Sequence, residues 1–383
     1  MEPSHPIAPQ LVRLGQIGKP RRAVGDPVAP LKQNTRFTPI PQPVPANLTL
    51  PFDVVDPRSY AAAEKAGRLV FHSVGDTGGV NGTATEDAIA VAMEEQIKSS
   101  AAGHVPAFFY NLGDVVYYNG QRALYKTEFY EPYQFYPALI FAIPGNHDGD
   151  TQVRKGDTPD TESSLAGFFD NFCDTQPQHV SPYRMSMTQP YAYWTLDAPF
   201  VTMIGLYSNV EGSLDARGRY EQQQFLLTQL SSAPKDKKVI VAVHHAPFSL
   251  DSVHGGAPDI LNALDRAFAK SGRHADAVFS GHVHNYQRFT RVVQGRNVPY
   301  VVAGAGGYAN DTRSMHKLQT EIQALPKAKL PYQTTLADVK LESFNDADPG
   351  FLRVTVDVKH INIEYFVVPF NGGTVQAFDS IVV

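Results

Sequence analysis

Cysteine is almost absent from this chain of 383 residues: Cys173 stands alone, so no intrachain disulfide can form. That excludes the stapled scaffold on which small secreted domains depend, and any thiolate-rich iron–sulfur or structural zinc site. Long apolar runs are missing too. None reaches the roughly 20 residues needed to span a bilayer, and the opening "MEPSHPIAPQLVRLGQIGKP" has no apolar core of a secretory signal. The cytoplasm is the default location, and a secreted or periplasmic one would require a leader already removed. Neither sign of charge dominates. A formal net charge of −5 gives no electrostatic reason to expect nucleic acid or an acidic membrane as partner.

What is present is a globular composition, 43% hydrophobic and 19% charged, sufficient for a sizeable core. Residues 1–65 are proline-rich ("TPIPQPVPANLTLPFDVVDP") and aperiodic, and read as an extended N-terminal arm against a main domain of residues 66–383. From Arg68 the pattern becomes strand, loop, helix. "RLVFHSV", "AFFYNL" and "ALIFAI" read as strands. Thr83 and Glu86 suggest a capping box ahead of a helix whose face carries Ile89, Met93 and Ile97. "YAYWTLDAPFVTMIGL" reads as two strands around a turn at "LDAP". A helix on Phe225, Leu226 and Leu230 follows, then "KVIVAV", a helix over Leu261 to Phe268, and "DAVFS". "VPYVVAGAGG" and a hairpin, "FLRVTVDVKHINIEYFVV", complete the core. Alternating strands and helices with a β-rich end predict an α/β fold with mixed sheets. Residues Asn310 to Pro349 are weakly patterned, as lids and binding loops often are; one reading brings Arg313, His316 and Lys317 to the substrate, and a solvated loop is the favoured one.

The reactive residue types fall just after the strands: "GDTGG", "GDVVY", "GNHD", "HH" and "GHVH". Ligands bind at the carboxyl ends of strands in open α/β sheets, so five loops can converge. They supply Asp76, Asp114, Tyr117, Asn146, His147, Asp148, His244, His245, His282 and His284. Each alone has a plain structural reading. Gly-Asp at a strand end is ordinarily a turn, Tyr117 an ordinary core residue, and the two histidines of "GHVH" an exposed pair on an edge strand. Together they form a mixed nitrogen and oxygen donor set, richer than one ion needs, and predict two metal ions with a bridging carboxylate. Such pairs are typical of hydrolases acting on phosphate esters.

The order "GDTG" (75–78), "GDVVY" (113–117), "GNHD" (145–148), "VAVH" (241–244) and "GHVH" (281–284) resembles the five-block signature of purple acid phosphatases, a branch of the dinuclear metallophosphoesterases. The blocks span most of residues 68–288. "GHVHNYQR" and the later "AGAGG" are similar as well. The resemblance implies a sandwich of two mixed β-sheets flanked by α-helices, with residues 66–383 as the catalytic domain. The wider superfamily opens with Asp-x-His, but Asp76 is followed here by Thr77 and Gly78. The resemblance implies that Tyr117 replaces that histidine. It assigns a ferric ion to Asp76, Tyr117 and His284, a divalent ion (zinc, iron or manganese) to Asn146, His244 and His282, and the bridge to Asp114. A phenol with a pKa near 10 binds as phenolate only beside a strongly charged ion, and hard iron suits oxygen donors.

The implied reaction is hydrolysis of phosphate monoesters by a bridging or metal-bound hydroxide at an Fe(III)–M(II) centre, with a small phosphorylated substrate and activity persisting in acid. The candidate proton donor is His254, ten residues after His244, helped by His147; Asp148 is expected to orient a histidine. Phosphodiester hydrolysis with the same metals is the alternative. A binding protein on an inactive scaffold is a third reading, and the intact ligand set argues against it. The extra N-terminal β-sandwich of plant-type members has no counterpart in the short, irregular arm.

Overall fold

The computed structural model describes residues 23–29, 40–79, 82–150, 162–210 and 213–383. Residues 1–22 and 30–39 of the expected arm lie outside the described residues. Its C-terminal part is folded rather than extended: β1 (Thr49–Pro51), α1 (Phe52–Val55) and α2 (Pro57–Ala66). Asp56 caps α2 by accepting the Ser59 N–H at 3.0 Å, and Pro57 opens it. Phe52 is fully buried, edge-on to Phe108 at 5.3 Å. The boundary expected at residue 65 therefore falls inside a helix. One very short strand and one buried ring leave no period for a sequence to display.

The chain continues through β2 (Leu69–Val74), α3 (Ala84–Ser99), β3 (Phe108–Asn111), β4 (Leu139–Ala142), α4 (Asn146–Gly149) and α5 (Ala166–Phe172). Then come β5 (Trp194–Ala198), β6 (Val201–Leu206), α6 (Glu221–Ser232), β7 (Lys238–Val243), α7 (Pro258–Ser271), β8 (Ala277–Ser280), β9 (Tyr286–Val293) and β10 (Arg296–Ala303). The last are α8 (Thr320–Gln323), β11 (Tyr332–Gln333), β12 (Val339–Asn345), β13 (Gly350–Val356), β14 (Ile361–Val367) and β15 (Gln376–Val382). Two mixed sheets result, in the orders β1-β5-β6-β7-β8-β10-β9-β12-β11 and β15-β14-β13-β2-β3-β4. β2, β3 and β4 run parallel, as do β6, β7, β8 and β10.

The apolar runs alternate between two interiors, because successive side chains leave a strand on opposite faces. In β7, Ile240 and Ala242 enter the layer between the sheets, while Val239, Val241 and Val243 join a second core with Leu226 of α6 and Leu264 of α7. Phe108 and Tyr110 of β3 meet that same inner layer, and Phe109 faces the other way, against Tyr133. Burial on both faces explains why these strands read as continuous apolar runs.

Four local expectations change. The expected capping box does not form: the Thr83 hydroxyl donates to Asp87 at 3.0 Å, and Glu86 is fully buried. The β5–β6 turn lies at Pro199–Phe200, one step beyond "LDAP", with Phe200 at φ 68°. β9 and β15 form where no strand was expected. Residues 310–349 contain β12, which pairs with β9, so the end of this stretch is built into the sheet. Residues 23–29 are tied across the loops of the larger sheet: Ser249 N–H donates to the Pro27 carbonyl (2.9 Å) and Gly25 N–H to Gln319 Oε1 (3.0 Å). No helix among the described residues is long and apolar enough to cross a membrane.

Candidate metal centre

The C-terminal ends of β2, β3, β4, β7 and β8 meet at one point between the sheets. Backbone bonds stitch their loops together: Asp76 N–H to the Gly113 carbonyl (2.8 Å), Thr77 N–H to the Asp114 carbonyl (3.1 Å), and Gly281 N–H to the His244 carbonyl (3.1 Å). Asp76, Asp114 and His282 all adopt positive φ (57°, 53° and 68°), a region costly for non-glycine residues and favoured where a site over-determines the backbone. Gly113 (φ 97°) and Gly145 admit no side chain. A Cβ on Gly145 would collide with Asp114 Oδ1, and one on Gly113 would sit 2.7 Å from His244 Nδ1. This is why Gly precedes the donor in four of the five blocks, the exception being Val243 before His244.

Two groups of donors result. In the first, Tyr117 OH lies 3.1 Å from Asp76 Oδ1 and 3.4 Å from His284 Nε2, and His284 Nε2 lies 3.3 Å from Asp76 Oδ1. In the second, Asn146 Oδ1 lies 3.0 Å from His244 Nε2 and 2.8 Å from His282 Nδ1. Asp114 stands between them. Its Oδ2 is 3.3 Å from His244 Nε2, and Asp76, Asp114 and His244 offer ligand atoms within 4.8 Å of one another. The seven residues expected to hold metal are thus brought together in the groups the resemblance assigned. One detail differs. His282 and His284 lie in the turn after β8, not on a strand, and present different nitrogens to the site.

The donor chemistry fits cations. His244 Nδ1 faces the Leu112 carbonyl at 2.9 Å, so the neutral ring carries its proton there and turns a lone pair at Nε2 toward the oxygens of Asn146 and Asp114. Lone pairs converging in a dry interior need a positive charge between them. Without a metal the ring takes a proton instead: burial opposes it, but Asp114 and Asp76 raise the His244 pKa to about 9. Burial, then Asp114 and Asp76, push the Tyr117 phenol well above its ordinary range, so it is neutral until a cation reverses the balance.

The three expected catalytic residues lie around this centre. The backbone N–H of His147 donates to Asp114 Oδ1 (2.8 Å), and its Nδ1 meets the Tyr118 carbonyl (2.7 Å). Its half-buried ring lies 4.7 Å from that of Tyr117. The His254 ring stands edge-on to His282 at 4.4 Å, and burial lowers its pKa to about 4. Asp148 does not have the expected role. Its carboxylate accepts backbone N–H groups from Gly145 (2.7 Å), Val115 (3.1 Å) and Val116 (3.3 Å), and so shapes the loop carrying Asp114 and Tyr117. His245 is buried behind the centre, with Nδ1 2.8 Å from the Ser208 hydroxyl.

His316 belongs to the stretch for which a solvated loop is the favoured expectation over a substrate contact, and the structure places it in the centre, stacked on His284 at 4.0 Å. Tyr308 lies 3.9 Å from the same ring. Tyr308 directly follows "AGAGG", but no spacing or motif marks His316. Their position depends on the chain returning across the sheet after β10.

The calcineurin-like phosphoesterase family matches residues 71–286, more than half of the chain, and the protein belongs to that family. Within it, the similarity runs to the purple acid phosphatase branch. Purple acid phosphatase 22 of Arabidopsis thaliana is 28% identical over 138 residues, 33% of this chain and 30% of that protein. Purple acid phosphatase 18 of the same plant is 25% identical over 154 residues, 38% and 34% of the two. The matched region is about a third of the length of these relatives. The fold is shared with the solved purple acid phosphatase PPD1 from yellow lupin (Lupinus luteus) seeds (TM-score 0.57, 17% identity, 82% of this chain and 53% of that one). It is also shared with GAP50, the anchor in the inner membrane complex of Plasmodium (TM-score 0.53, 14% identity, 82% and 89%).

Proposed function

We propose that this protein is a metal-dependent phosphomonoesterase of the purple acid phosphatase type. The observation that carries the reading is the paired donor set: Asp76, Tyr117 and His284 on one side, Asn146, His244 and His282 on the other, with Asp114 between. A phenol in the first group and an all-neutral amide and imidazole set in the second suit a ferric and a divalent ion (zinc, iron or manganese) respectively. When bound, the two ions would neutralise the charge of a phosphate ester and make hydroxide available in acid.

The chain's own residues orient and exclude. The Leu112 carbonyl holds the His244 tautomer, and the His147 N–H pins one oxygen of Asp114. Tyr117, buried beside Asp76, keeps bulk water from that side. His254 is suited to give a proton to the leaving alkoxide, since a phosphate anion beside it would raise its depressed pKa. His147 lies beside Tyr117 and would steady developing charge.

The test is metal analysis of purified protein together with turnover of 4-nitrophenyl phosphate and its bis ester. Two ions per chain and a preference for the monoester are expected, with Asp114→Asn reducing turnover by about 100-fold or more. A metal-free protein, or one whose Asp114→Asn variant keeps full activity and metal, would overturn the reading. Preference for the diester would move it to a phosphodiesterase.

A further inference from the structure

His316 comes from the loop after β10, outside the region that matches the family. Three hydrogen bonds seat it against the loop after β8. Its N–H donates to the His284 carbonyl (3.2 Å), its ring Nδ1 accepts the His284 N–H (3.2 Å), and its carbonyl accepts from Asn285 Nδ2 (2.8 Å). Backbone and ring are both held. With Nδ1 accepting, the neutral ring carries its proton on Nε2.

The ring packs close to two others, which lie 5.7 Å from each other. It lies 4.0 Å from His284 at 23° and 4.4 Å from His254 at 24°. Below His254, the buried carboxylate of Asp251 accepts the N–H groups of Val253 (2.9 Å) and His254 itself (2.6 Å), which anchors the backbone of that turn. The Nδ1 of the His254 ring stands 4.0 Å from that carboxylate, beyond hydrogen-bond reach, and is buried without a hydrogen-bond partner among the described residues. The ring is held by other rings: His316 on its face and His282 at its edge. Asp251, His254 and His316 have the separation of a cation site. However, Nδ1 of His316 is already engaged by the His284 N–H, and Oδ2 of Asp251 by two more, which favours a brace over a cage.

We propose that His316 is a positioning residue that holds His254 at the angle from which it protonates the leaving group. The proposal rests on the phosphomonoesterase reading given above and on His254 as its proton donor. A brace of this kind acts only where the departing oxygen needs a proton. Its loss should therefore be felt on a poor leaving group and spared on a good one.

The experiment compares glycerol 2-phosphate, an alkoxide leaver, with 4-nitrophenyl phosphate. His316→Ala is expected to lower kcat on the alkyl ester about tenfold more than on the nitrophenyl ester, with KM and metal content unchanged. His316→Phe, which restores a stacking ring, is expected to recover much of the loss. The double variant His254→Ala/His316→Ala should be no worse than His254→Ala alone. Equal losses on both esters, additive losses in the double variant, or loss of bound metal would overturn the proposal, the last assigning His316 to the support of His284. Wild-type protein that cleaves neither ester would defeat the functional reading instead. The brace is then judged on a crystal structure of His316→Ala, where a disordered His254 ring supports it and an unmoved one overturns it.

Discussion

Tyr117 is where the chemistry of a single residue decides most. Its phenol is buried, points at Asp76 Oδ1 and His284 Nε2, and is held neutral by burial and two nearby carboxylates. Those conditions disfavour a phenolate unless a strongly charged cation is present. On the proposed function, the purified protein should show an intense visible band from tyrosinate on ferric iron. Tyr117→Phe should abolish that band and lower the iron content, read by absorption and elemental analysis. A colourless wild-type protein with full phosphatase activity would keep the phosphoesterase and reject the iron. Asp148 teaches a related lesson. The sequence puts a carboxylate beside His147 and suggests a histidine partner, but the N–H groups of Gly145 and, across the site, of Val115 and Val116 take it first.

At the scale of the element, β2 carries both core and site. Phe71 faces the inner layer and Val74 the outer core, while Asp76 follows at the strand end. His72, on the outer face, is fully buried, meeting Tyr136 OH at 3.0 Å and Gln96 Oε1 of α3 at 3.1 Å. Burial, with Arg353 adding, holds its pKa at about 3, although Gln96 pulls the other way. In the unfolded chain the ring titrates near 6.5. Above that pH both states are neutral and stability is unaffected. As pH falls from about 6.5 toward 3, the unfolded state takes up a proton that the folded state refuses, and stability declines by up to about 1.4 kcal/mol per pH unit. Urea denaturation from pH 7 to 4.5 should therefore give a shallower acid slope for His72→Gln than for wild type. Parallel slopes would show that His72 does not stay neutral when folded.

Over the whole molecule, the two sheets must hold their strand ends in register, or the donor groups separate. At one edge this is done by Arg288 of β9 and Asp379 of β15, paired at 2.6 and 3.0 Å, with Tyr286 OH donating to the same carboxylate at 2.7 Å. Tyr286 also stacks on Tyr365 of β14 at 3.9 Å. The charged side chains are only 11% and 12% exposed, so solvent screens the pair weakly. Burial pushes the Asp379 carboxyl up, but Arg288 and Tyr286 overcome it and hold the pKa below the usual range. The contribution is therefore present above the unfolded value near 4 and lost as pH falls through the folded one. Asp379→Ala should cost about 3–5 kcal/mol at pH 7, because Arg288 is left unpaired. The gap to wild type should narrow toward pH 3. A gap independent of pH would mean that the pair contributes by packing alone.

The sequence by itself determined the apolar runs that become β2, β3, β4, β7 and β8, and the Gly-donor pairs that end all of them but β7. Both are local: a strand buried on two faces must be apolar throughout, and a donor at positive φ needs glycine beside it. The fold class and the pool of candidate metal donors were legible for that reason, and the resemblance supplied their division into two groups. Only the tertiary structure decided what depends on distant chain. It folded Thr49–Ala66 into the body and built β12 from a stretch with no visible period. It turned Asp148 toward the backbone and carried His316 back beside His284, 32 residues earlier in the chain. Contacts between chain segments so far apart leave no period or spacing in either segment, because each is satisfied only when the sheets between them have formed.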